Sequence, residues 1–443
     1  MARPYRPTKI TRKPGKSRAA VCGIGRQGGG LRFFFDIDRL TFELGQKLVA
    51  VAGSWGVNLG VSRRGFHLDI GYPAKMDRAL SAVAEAPEPP ADRRLDLSGT
   101  EKWIRRLARL PHLRAWQGGI SVKSRPIHVL EARLEAPGIS SLGKARFLKP
   151  AFLFNARHHA NEVSSTNAAL RLAWRLSQTA EGQELLKRVN VAVIPMENPD
   201  GAAALETLSP GCRDHKLHAA RYNALGVEWY DDYHREQPRF PEAKVKRGLW
   251  RRWLPRYVQD AHGVPSHEWD QPFAGTVNPR FREYWIPRAF VFAILPFVNE
   301  AAHPAYEDAR ALAADLARDM AEHADIGARN AVFANRYARY ARAFAPEVFP
   351  ASVCEGLVVV PTAPHIDPSN FGRVHWPLTE TELITEVADE VVEGDWLEMC
   401  ARAHLTAAMT LLRRLARTPR ASLQELENGA TGLYLAWRRS ETG

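Results

Sequence analysis

The fold is decided by residues 150–162, which read PAFLFNARHHANE. The first part is an apolar run that predicts a buried strand, and the second part brings His158, His159 and Glu162 into one short turn. Residues 163–177 follow with apolar positions at helical spacing. Such strand-to-helix junctions are where α/β proteins place ligands and catalytic groups. An imidazole and a carboxylate at this junction would supply two of the three protein ligands of a catalytic zinc ion.

Two later stretches extend this pattern. Residues 256–263, RYVQDAHG, predict a short strand that ends in Asp260-x-His262-Gly263, so that His262 is a candidate third ligand. Asp260 lies on the same side of that strand and could orient the imidazole. Between the two sites, residues 189–201 predict a β-branched strand followed by a turn at Asn-Pro-Asp-Gly, 198–201.

Taken in order, these three motifs resemble the zinc carboxypeptidase family, the carboxypeptidase A-like metallopeptidases. Residues 118–127, GGISVKSRPI, also resemble the strand that leads into the family's site. The resemblance implies one Zn²⁺ per chain, held by His159, Glu162 and His262. It further implies hydrolysis of peptide amide bonds by a zinc-activated water molecule. In this register His158 has no assigned role.

The resemblance implies three further groups. Glu386 is the predicted general base, with Glu382 as the alternative because it points to the same face of a strand. Arg213, about a dozen residues after the Asn-Pro-Asp-Gly motif, is predicted to stabilise the tetrahedral oxyanion, and Arg221 is the alternative. Arg221 and Asn223 are also the candidates for binding a substrate carboxylate.

Two departures concern the substrate. The family grips the terminal carboxylate with an Asn-Arg pair in a Gly-Val-Asp-x-Asn-Arg segment, whereas residues 226–232 read GVEWYDD. The family also has a tyrosine that closes over the substrate some twenty residues before the base. No tyrosine occurs between Tyr340 and Glu386, and His365 and His375 are the polar candidates there. Strict removal of C-terminal residues is therefore not implied.

Two other functions remain as alternatives. The aspartoacylase and succinylglutamate desuccinylase group shares the metal motif but removes acyl groups from small amino acids. A non-catalytic peptide-binding protein of the same fold is the other alternative. The Asn-Pro-Asp-Gly motif and the lead-in strand favour the peptidase. Nucleic-acid binding ranks last because the chain contains no recognised aromatic–basic module.

The composition restricts the class of protein, the number of domains and the compartment that we expect. The chain has 443 residues, 45% of them hydrophobic and 25% charged, which is ordinary globular usage and enough for two domains. No stretch approaches the twenty apolar residues of a membrane span. The cysteines are scattered without pairing or zinc-finger spacing, which predicts free thiols: Cys22, Cys212, Cys354 and Cys400. With no secretory signal pattern, we expect a cytoplasmic enzyme, and a transit peptide is the alternative for the basic N-terminus.

The formal net charge is +12, and two segments contribute strongly. Residues 1–35 carry basic residues and no acid, and residues 244–256 combine basic residues with Trp250 and Trp253. For the first segment a flexible basic arm is the favoured interpretation. The second could rim the active cleft, which leads to the hypothesis of an acidic peptide substrate.

The order of predicted elements defines the domains. A basic leader (1–30) precedes a small β-rich domain (31–85), a Pro-rich linker (86–98), the catalytic domain (99–416) and a tail (417–443). Strands are predicted near 120–134, 150–155, 189–196, 256–262, 288–295 and 381–388. They alternate with helices near 163–177, 304–323, 326–342 and 396–416. This alternation predicts an α/β/α sandwich with a mixed, mostly parallel central sheet.

Overall fold

The computed structural model forms two compact units, Met1–Ala84 and Glu85–Gly443. It describes residues 19–27, 30–37, 58–62, 65–70, 86–134, 149–211, 220–264, 289–342, 352–362, 369–417, 421–428 and 432–439. In the first unit, four strands form an antiparallel sheet in the order β1-β2-β4-β3. They are β1 (Ala19–Gln27), β2 (Gly30–Ile37), β3 (Asn58–Ser62) and β4 (Gly65–Ile70). Strand β1 lies within residues 1–30, for which the sequence predicts a basic leader, and the other three strands lie almost wholly within the predicted β-rich segment 31–85.

The second unit is built on a nine-stranded sheet in the order β11-β12-β10-β13-β9-β7-β8-β6-β5. Its strands are β5 (Leu113–Ile120), β6 (Pro126–Ala132), β7 (Ala151–Ala156), β8 (Asn190–Ile194), β9 (Tyr257–Val264), β10 (Val291–Pro296), β11 (Ser352–Cys354), β12 (Leu357–Thr362) and β13 (Thr381–Ala388). The central run β13-β9-β7-β8 is parallel, and both edges are antiparallel. The predicted α/β class with a mixed central sheet is confirmed.

Nine α-helices are described in this unit. They are α1 (Leu97–Leu107), α2 (Ser164–Gln178), α3 (Ala180–Leu186), α4 (Pro199–Leu208), α5 (Pro241–Trp253), α6 (Tyr306–Ala321), α7 (Ala324–Arg336), α8 (Phe371–Val374) and α9 (Gly394–Ala416). A 3₁₀ turn spans Tyr230–Asp232, and a π-helical turn spans Tyr337–Arg342. Among the described residues no helix is both long and apolar enough to cross a membrane.

The sheet is covered on both faces because the side chains of its strands alternate between them. On β7, Ala151 and Leu153 belong to a core cluster with residues of α5, including Leu249, Trp250 and Trp253. The intervening Phe152 and Phe154 are also fully buried. Helices α2 and α9 pack against each other and contact β7 and β9. The predicted layered sandwich follows from this arrangement.

Three segments differ from expectation. The Asn-Pro-Asp-Gly motif, predicted as a turn, begins α4 instead, because the Asn198 side chain accepts a hydrogen bond from the amide of Gly201 at 2.8 Å and Pro199 suits the first helical position. The basic segment at 244–256 forms most of α5 and turns its tryptophans into the core. The tail, for which no structure is predicted, contains an antiparallel hairpin of β14 (Ala421–Asn428) and β15 (Gly432–Arg439).

Two further features concern the cysteines and a close approach at Gly263. Cys354 and Cys400 are free thiols, as predicted, whereas the side chains of Cys22 and Cys212 lie outside the described residues. Gly263 follows the candidate ligand His262 on β9, and a Cβ atom placed on it would lie only 1.8 Å from a carboxylate oxygen of Asp389. Asp389 accepts hydrogen bonds from both the amide and the hydroxyl group of Ser164, the first residue of α2.

Candidate metal centre

The three predicted metal ligands converge at the carboxyl ends of parallel strands. Strand β7 pairs with β9 so that Ala156 lies opposite Ala261, which brings the turn after β7 beside His262. Nδ1 of His159 is 2.7 Å from Oε1 of Glu162, and Nδ1 of His262 is 2.9 Å from Oε2 of the same carboxylate. The two Nδ1 atoms are 3.1 Å apart. All three side chains are almost completely buried.

This donor set fits a zinc ion. Two histidines and one carboxylate are a known ligand set of catalytic zinc sites, with metal–ligand distances of about 2.0–2.2 Å. Donor atoms of a tetrahedral site with such bond lengths would be separated by roughly 3.3 Å. In this chain the two Nδ1 atoms and the Glu162 oxygens nearest to them are slightly closer together, and the three residues could hold a metal ion.

A carboxylate supports each histidine from its other ring nitrogen. Nε2 of His159 is 2.9 Å from Oε2 of Glu228, and Nε2 of His262 is 3.3 Å from Oδ2 of Asp260. An Nε2–H that donates to a carboxylate leaves the Nδ1 lone pair of the same ring available to a metal. Asp260 therefore lies where its expected orienting role requires. Glu228 was missed as a supporting group, although the resembling family segment carries an aspartate at its place.

Asp260 is in turn held by two donors. Nζ of Lys246 lies 2.6 Å from Oδ2 of Asp260, and the Asn155 amide donates to Oδ1 at 2.8 Å. Burial lowers the pKa of Lys246, but Asp260 and Glu382 outweigh this effect, so that the lysine stays charged. A fully buried cation thus neutralises the carboxylate behind His262.

His158, for which the sequence assigns no role, holds Glu228 in place. Its Nε2 is 2.7 Å from Oε1 of Glu228, while its Nδ1 contacts Glu197 at 3.2 Å and the Tyr233 hydroxyl group at 2.8 Å. Burial lowers the pKa of His158, but Glu228 and Glu197 together raise it to about 9. His158, His159 and Glu228 are also close enough to hold a metal ion. Since Nδ1 of His159 already faces Glu162 and His262, we assign that group to hydrogen bonding.

The two candidate bases occupy different surroundings. Glu382 is engaged on both oxygens: Oε1 lies 3.2 Å from Nζ of Lys246, and Oε2 accepts from the amide of Phe371 at 2.6 Å. Glu386 lies opposite His262 in the parallel pairing of β13 with β9. Its Oε2 is shielded from solvent and has no hydrogen-bond partner among the described residues. Burial raises the pKa of Glu386 well above its usual value, against the opposing effect of His262.

Arg221 reaches the ligand group, whereas Arg213 lies outside the described residues. Nη1 of Arg221 is 3.1 Å from Oε1 of Glu162, and its Nε is 4.0 Å from Oε2 of Glu228. The Asn198 amide that caps α4 also donates to the backbone carbonyl groups of Arg221 and Tyr222. The Asn-Pro-Asp-Gly motif thereby fixes the segment that carries this guanidinium.

Asn223 organises the same segment. Its Oδ1 accepts hydrogen bonds from the amides of Leu225 and Val227 at 3.0 and 3.1 Å, which shapes the loop before Glu228. Its amide nitrogen is shielded from solvent and has no partner among the described residues. Binding of a substrate carboxylate by Asn223 stays a prediction.

The positions of the family's carboxylate clamp are occupied by Tyr230 and Asp231. The Tyr230 hydroxyl group lies 3.0 Å from Nε2 of His262, on the metal side of the fold, and Asp231 is exposed. Of the candidates for the closing tyrosine, His375 is already engaged, since it accepts a hydrogen bond from Arg247 at 2.7 Å. His365 lies outside the described residues.

Comparison with known proteins supports the same family. Residues 100–244 match the family model of zinc carboxypeptidases. This segment is therefore similar to a zinc carboxypeptidase domain. The assignment to zinc metallopeptidases that the motifs predict is thereby confirmed. The matched range includes His159 and Glu162 but ends before His262 and Glu386, so the roles of the latter two rest on their motifs and on the geometry of the site.

Solved structures of carboxypeptidases resemble the chain at low sequence identity. Carboxypeptidase A from Helicoverpa armigera is 11% identical over 85% of this chain and 95% of its own, with a TM-score of 0.48. A metallo-carboxypeptidase from Pseudomonas aeruginosa, in complex with (2-guanidinoethylmercapto)succinic acid, is 16% identical over 82% and 78%, with a TM-score of 0.46. A metallo-carboxypeptidase from Burkholderia cenocepacia is 13% identical over 81% and 77%, with a TM-score of 0.45. These values do not carry the assignment, which rests on the family model and the motifs. No curated protein matches the chain.

Proposed function

We propose that the zinc carboxypeptidase-like domain hydrolyses peptide bonds with one zinc ion bound by His159, Glu162 and His262. The observation that carries the proposal is the convergence of the two Nδ1 atoms and the two Glu162 carboxylate oxygens, joined by distances of 2.7–3.1 Å, with a carboxylate behind each imidazole. When bound, zinc supplies Lewis-acid activation of water and of the scissile carbonyl group.

Glu386 is the general base of this proposal. It takes the proton of the attacking water and returns it to the leaving amine, a role for which a raised pKa is favourable. The absence of a hydrogen-bond partner on its Oε2 among the described residues supports Glu386 over Glu382, whose two oxygens are engaged.

Arg221 is the proposed partner of the developing oxyanion, because its guanidinium lies 3.1 Å from the ligand Glu162. Arg213 stays the other candidate for this role. A guanidinium beside the ligands would stabilise negative charge on the substrate oxygen once the carbonyl group has been attacked.

The test combines metal analysis with an assay of the purified full-length chain. We expect one zinc ion per chain and hydrolysis of a peptide library, and we expect Glu386→Gln to keep the zinc while lowering kcat about 10²–10⁴-fold. Glu380→Gln, which alters an acid paired with Arg256 near the start of β13, serves as the matched control and should retain activity. A wild-type protein without metal, or an active Glu386→Gln variant, would refute the proposal. Cleavage of N-acyl amino acids but not of peptides would instead favour the aspartoacylase-like alternative.

The preference for acidic peptides stays a prediction. The ion pairs formed by the basic segment 244–256 weaken the support for it. Within the basic segment, Lys246 pairs with Asp260, Arg252 with Glu131, and Arg256 with Glu380. These cations are largely compensated by acids of the same unit and would attract a substrate only weakly. Comparing polyglutamate with neutral and basic peptides tests the preference, and equal rates would reject it.

A further inference from the structure

A buried arginine with a left-handed backbone immediately precedes the two histidines of the site. Arg157 has a φ angle of 60° and is only 2% exposed. Residues other than glycine rarely adopt this conformation, because it crowds the Cβ atom against the backbone. Burial is a second cost, and it lowers the pKa of Arg157 to about 10, which leaves the guanidinium charged at neutral pH. Strained residues of this kind cluster at functional sites, where the surrounding structure holds them.

The backbone of Arg157 is bonded to the starts of two helices. Its amide donates to the hydroxyl group of Ser165, in the first turn of α2, at 3.0 Å. Its carbonyl oxygen accepts from the amide of Asn198, the residue that caps α4, at 3.1 Å. These two bonds hold the left-handed residue in place, so that its side chain starts from a fixed position.

The side chain of Arg157 spans the turn that carries the histidines. Its Nε donates to the carbonyl oxygen of Ala160 at 2.6 Å, so that this hydrogen bond encloses His158 and His159. Its Nη1 lies 3.4 Å from the hydroxyl oxygen of Thr166 on α2. Among the described residues, the guanidinium bonds to carbonyl and hydroxyl oxygens and to no carboxylate. Its contacts therefore serve the shape of the turn and do not form an ion pair.

We propose that Arg157 is a positioning residue, which holds the turn of His159 and Glu162 in the conformation that binds the metal. The contact that carries this role is the hydrogen bond from Nε to the carbonyl group of Ala160. A turn that is already ordered loses less conformational entropy when the ion binds. The inference rests on the proposed function in taking the two residues as ligands, whereas the order of the turn is a property of the metal-free chain.

The test compares two uncharged variants of the full-length protein. Arg157→Gln and Arg157→Met both keep the length of the side chain as far as the Nε position, but only glutamine has an N–H group there. We expect Arg157→Met to raise the zinc dissociation constant about 10–100-fold, the range typical for loss of a group that supports a metal ligand. Arg157→Gln should recover most of this loss. Competition with a chromophoric chelator measures both constants.

Hydrogen–deuterium exchange of the metal-free proteins is the second readout. Residues 157–162 should take up deuterium faster in Arg157→Met than in the wild type or in Arg157→Gln, because the turn is no longer closed by the hydrogen bond. This measurement does not depend on zinc. A wild-type protein that binds no metal would therefore refute the proposed function, while the exchange rates would still decide whether Arg157 orders the turn.

Arg157→Gly keeps the experiment decisive if the methionine variant does not fold, because glycine adopts a positive φ without strain. It should show the same loss of zinc affinity. Glu355→Gly, at an exposed position with a φ of 46° between β11 and β12, is the matched control and should bind zinc as the wild type does.

Wild-type zinc affinity in Arg157→Met or Arg157→Gly would overturn the inference, because the backbone conformation alone would then suffice. Equal losses in the methionine and glutamine variants would overturn it as well, since the N–H group at the Nε position would then have no effect. Melting curves of the metal-free variants check that folded proteins are compared.

Discussion

The ammonium group of Lys246 lies 2.6 Å from a carboxylate oxygen of Asp260, and each side chain is only 1% exposed. The same ammonium group lies 3.2 Å from Glu382. One buried cation thus pairs with two carboxylates, one on the strand that carries His262 and one on the strand that carries Glu386. The charge balance of the core and the geometry of the candidate metal centre depend on the same residue.

Replacement of Lys246 by methionine should therefore be strongly destabilising. The variant keeps the length of the side chain but leaves Asp260 and Glu382 as buried charges without their cation. Removing one partner of a buried ion pair typically costs about 3–5 kcal/mol. Urea unfolding measures the loss. Lys187→Met, which removes an exposed lysine paired with Glu184, should cost under about 1 kcal/mol, and a similar cost for both would contradict the prediction.

Glu228→Gln should weaken metal binding. The carboxylate accepts from both His158 and His159, and a glutamine has only one oxygen with which to accept. Loss of support for a ligand histidine predicts a rise of about 10–100-fold in the zinc dissociation constant. Equilibrium dialysis against buffered zinc measures it. Glu236→Gln, at an exposed position nearby, should bind zinc as the wild type does.

The stability of the metal-free protein should fall as the pH rises through the pKa of His158. Its pKa is about 9 in the fold, against 6.5 for the unperturbed group, because Glu228 and Glu197 outweigh the effect of burial. The stabilisation is thus complete below about pH 6.5 and is lost as the pH passes 9. Urea midpoints recorded from pH 6 to 9.5 test this, with His158→Gln for comparison. If the urea midpoints of the two proteins fell equally with pH in this range, His158 would not be the group responsible.

Peptides with a free and with an amidated C-terminus should be cleaved at similar rates. A clamp that donates two hydrogen bonds to a carboxylate would favour the free acid by at least about tenfold, since each hydrogen bond to a charged group contributes about 1.5–3 kcal/mol. Tyr230 and Asp231 cannot act as that pair. We expect kcat/KM to differ by less than about fivefold, within the effect of one such bond. A strong preference for the free acid would show that other groups, such as Arg221 with Asn223, form a clamp.

Much of the catalytic unit could be predicted because its long elements are strongly periodic. The strand at 381–388 has the predicted bounds, and the helices α2 and α9 differ from prediction by only one or two residues at their ends. Helix α5 was not predicted because its basic residues suggest solvent. Lys246 faces inward, and its acidic partners Asp260 and Glu382 come from other strands, which local sequence cannot indicate.

Some residues of the candidate site could likewise be predicted from the sequence, and others could not. His159, Glu162 and His262 follow motifs of fixed spacing, and the sequence alone predicts that they meet. The contacts of Tyr230 and Glu228 with ligand histidines depend on how a loop folds over the ends of the strands, and residue spacing contains no information about this. Glu386 is preferred to Glu382 as the general base because both carboxylate oxygens of Glu382 already have hydrogen-bond partners.

The surroundings of Gly263 restrict which amino acids can replace it. A single methyl group there would collide with Asp389, and moving Asp389 would break its hydrogen bonds to the start of α2, the helix that follows Glu162. Alanine, the most conservative exchange at most glycines, is therefore as poorly tolerated as a large residue. A residue with a side chain at position 263 is therefore expected to displace the Asp389 carboxylate and, with it, the first turn of α2. Positions 263 and 389 thus link the strand that carries His262 to the helix that follows Glu162.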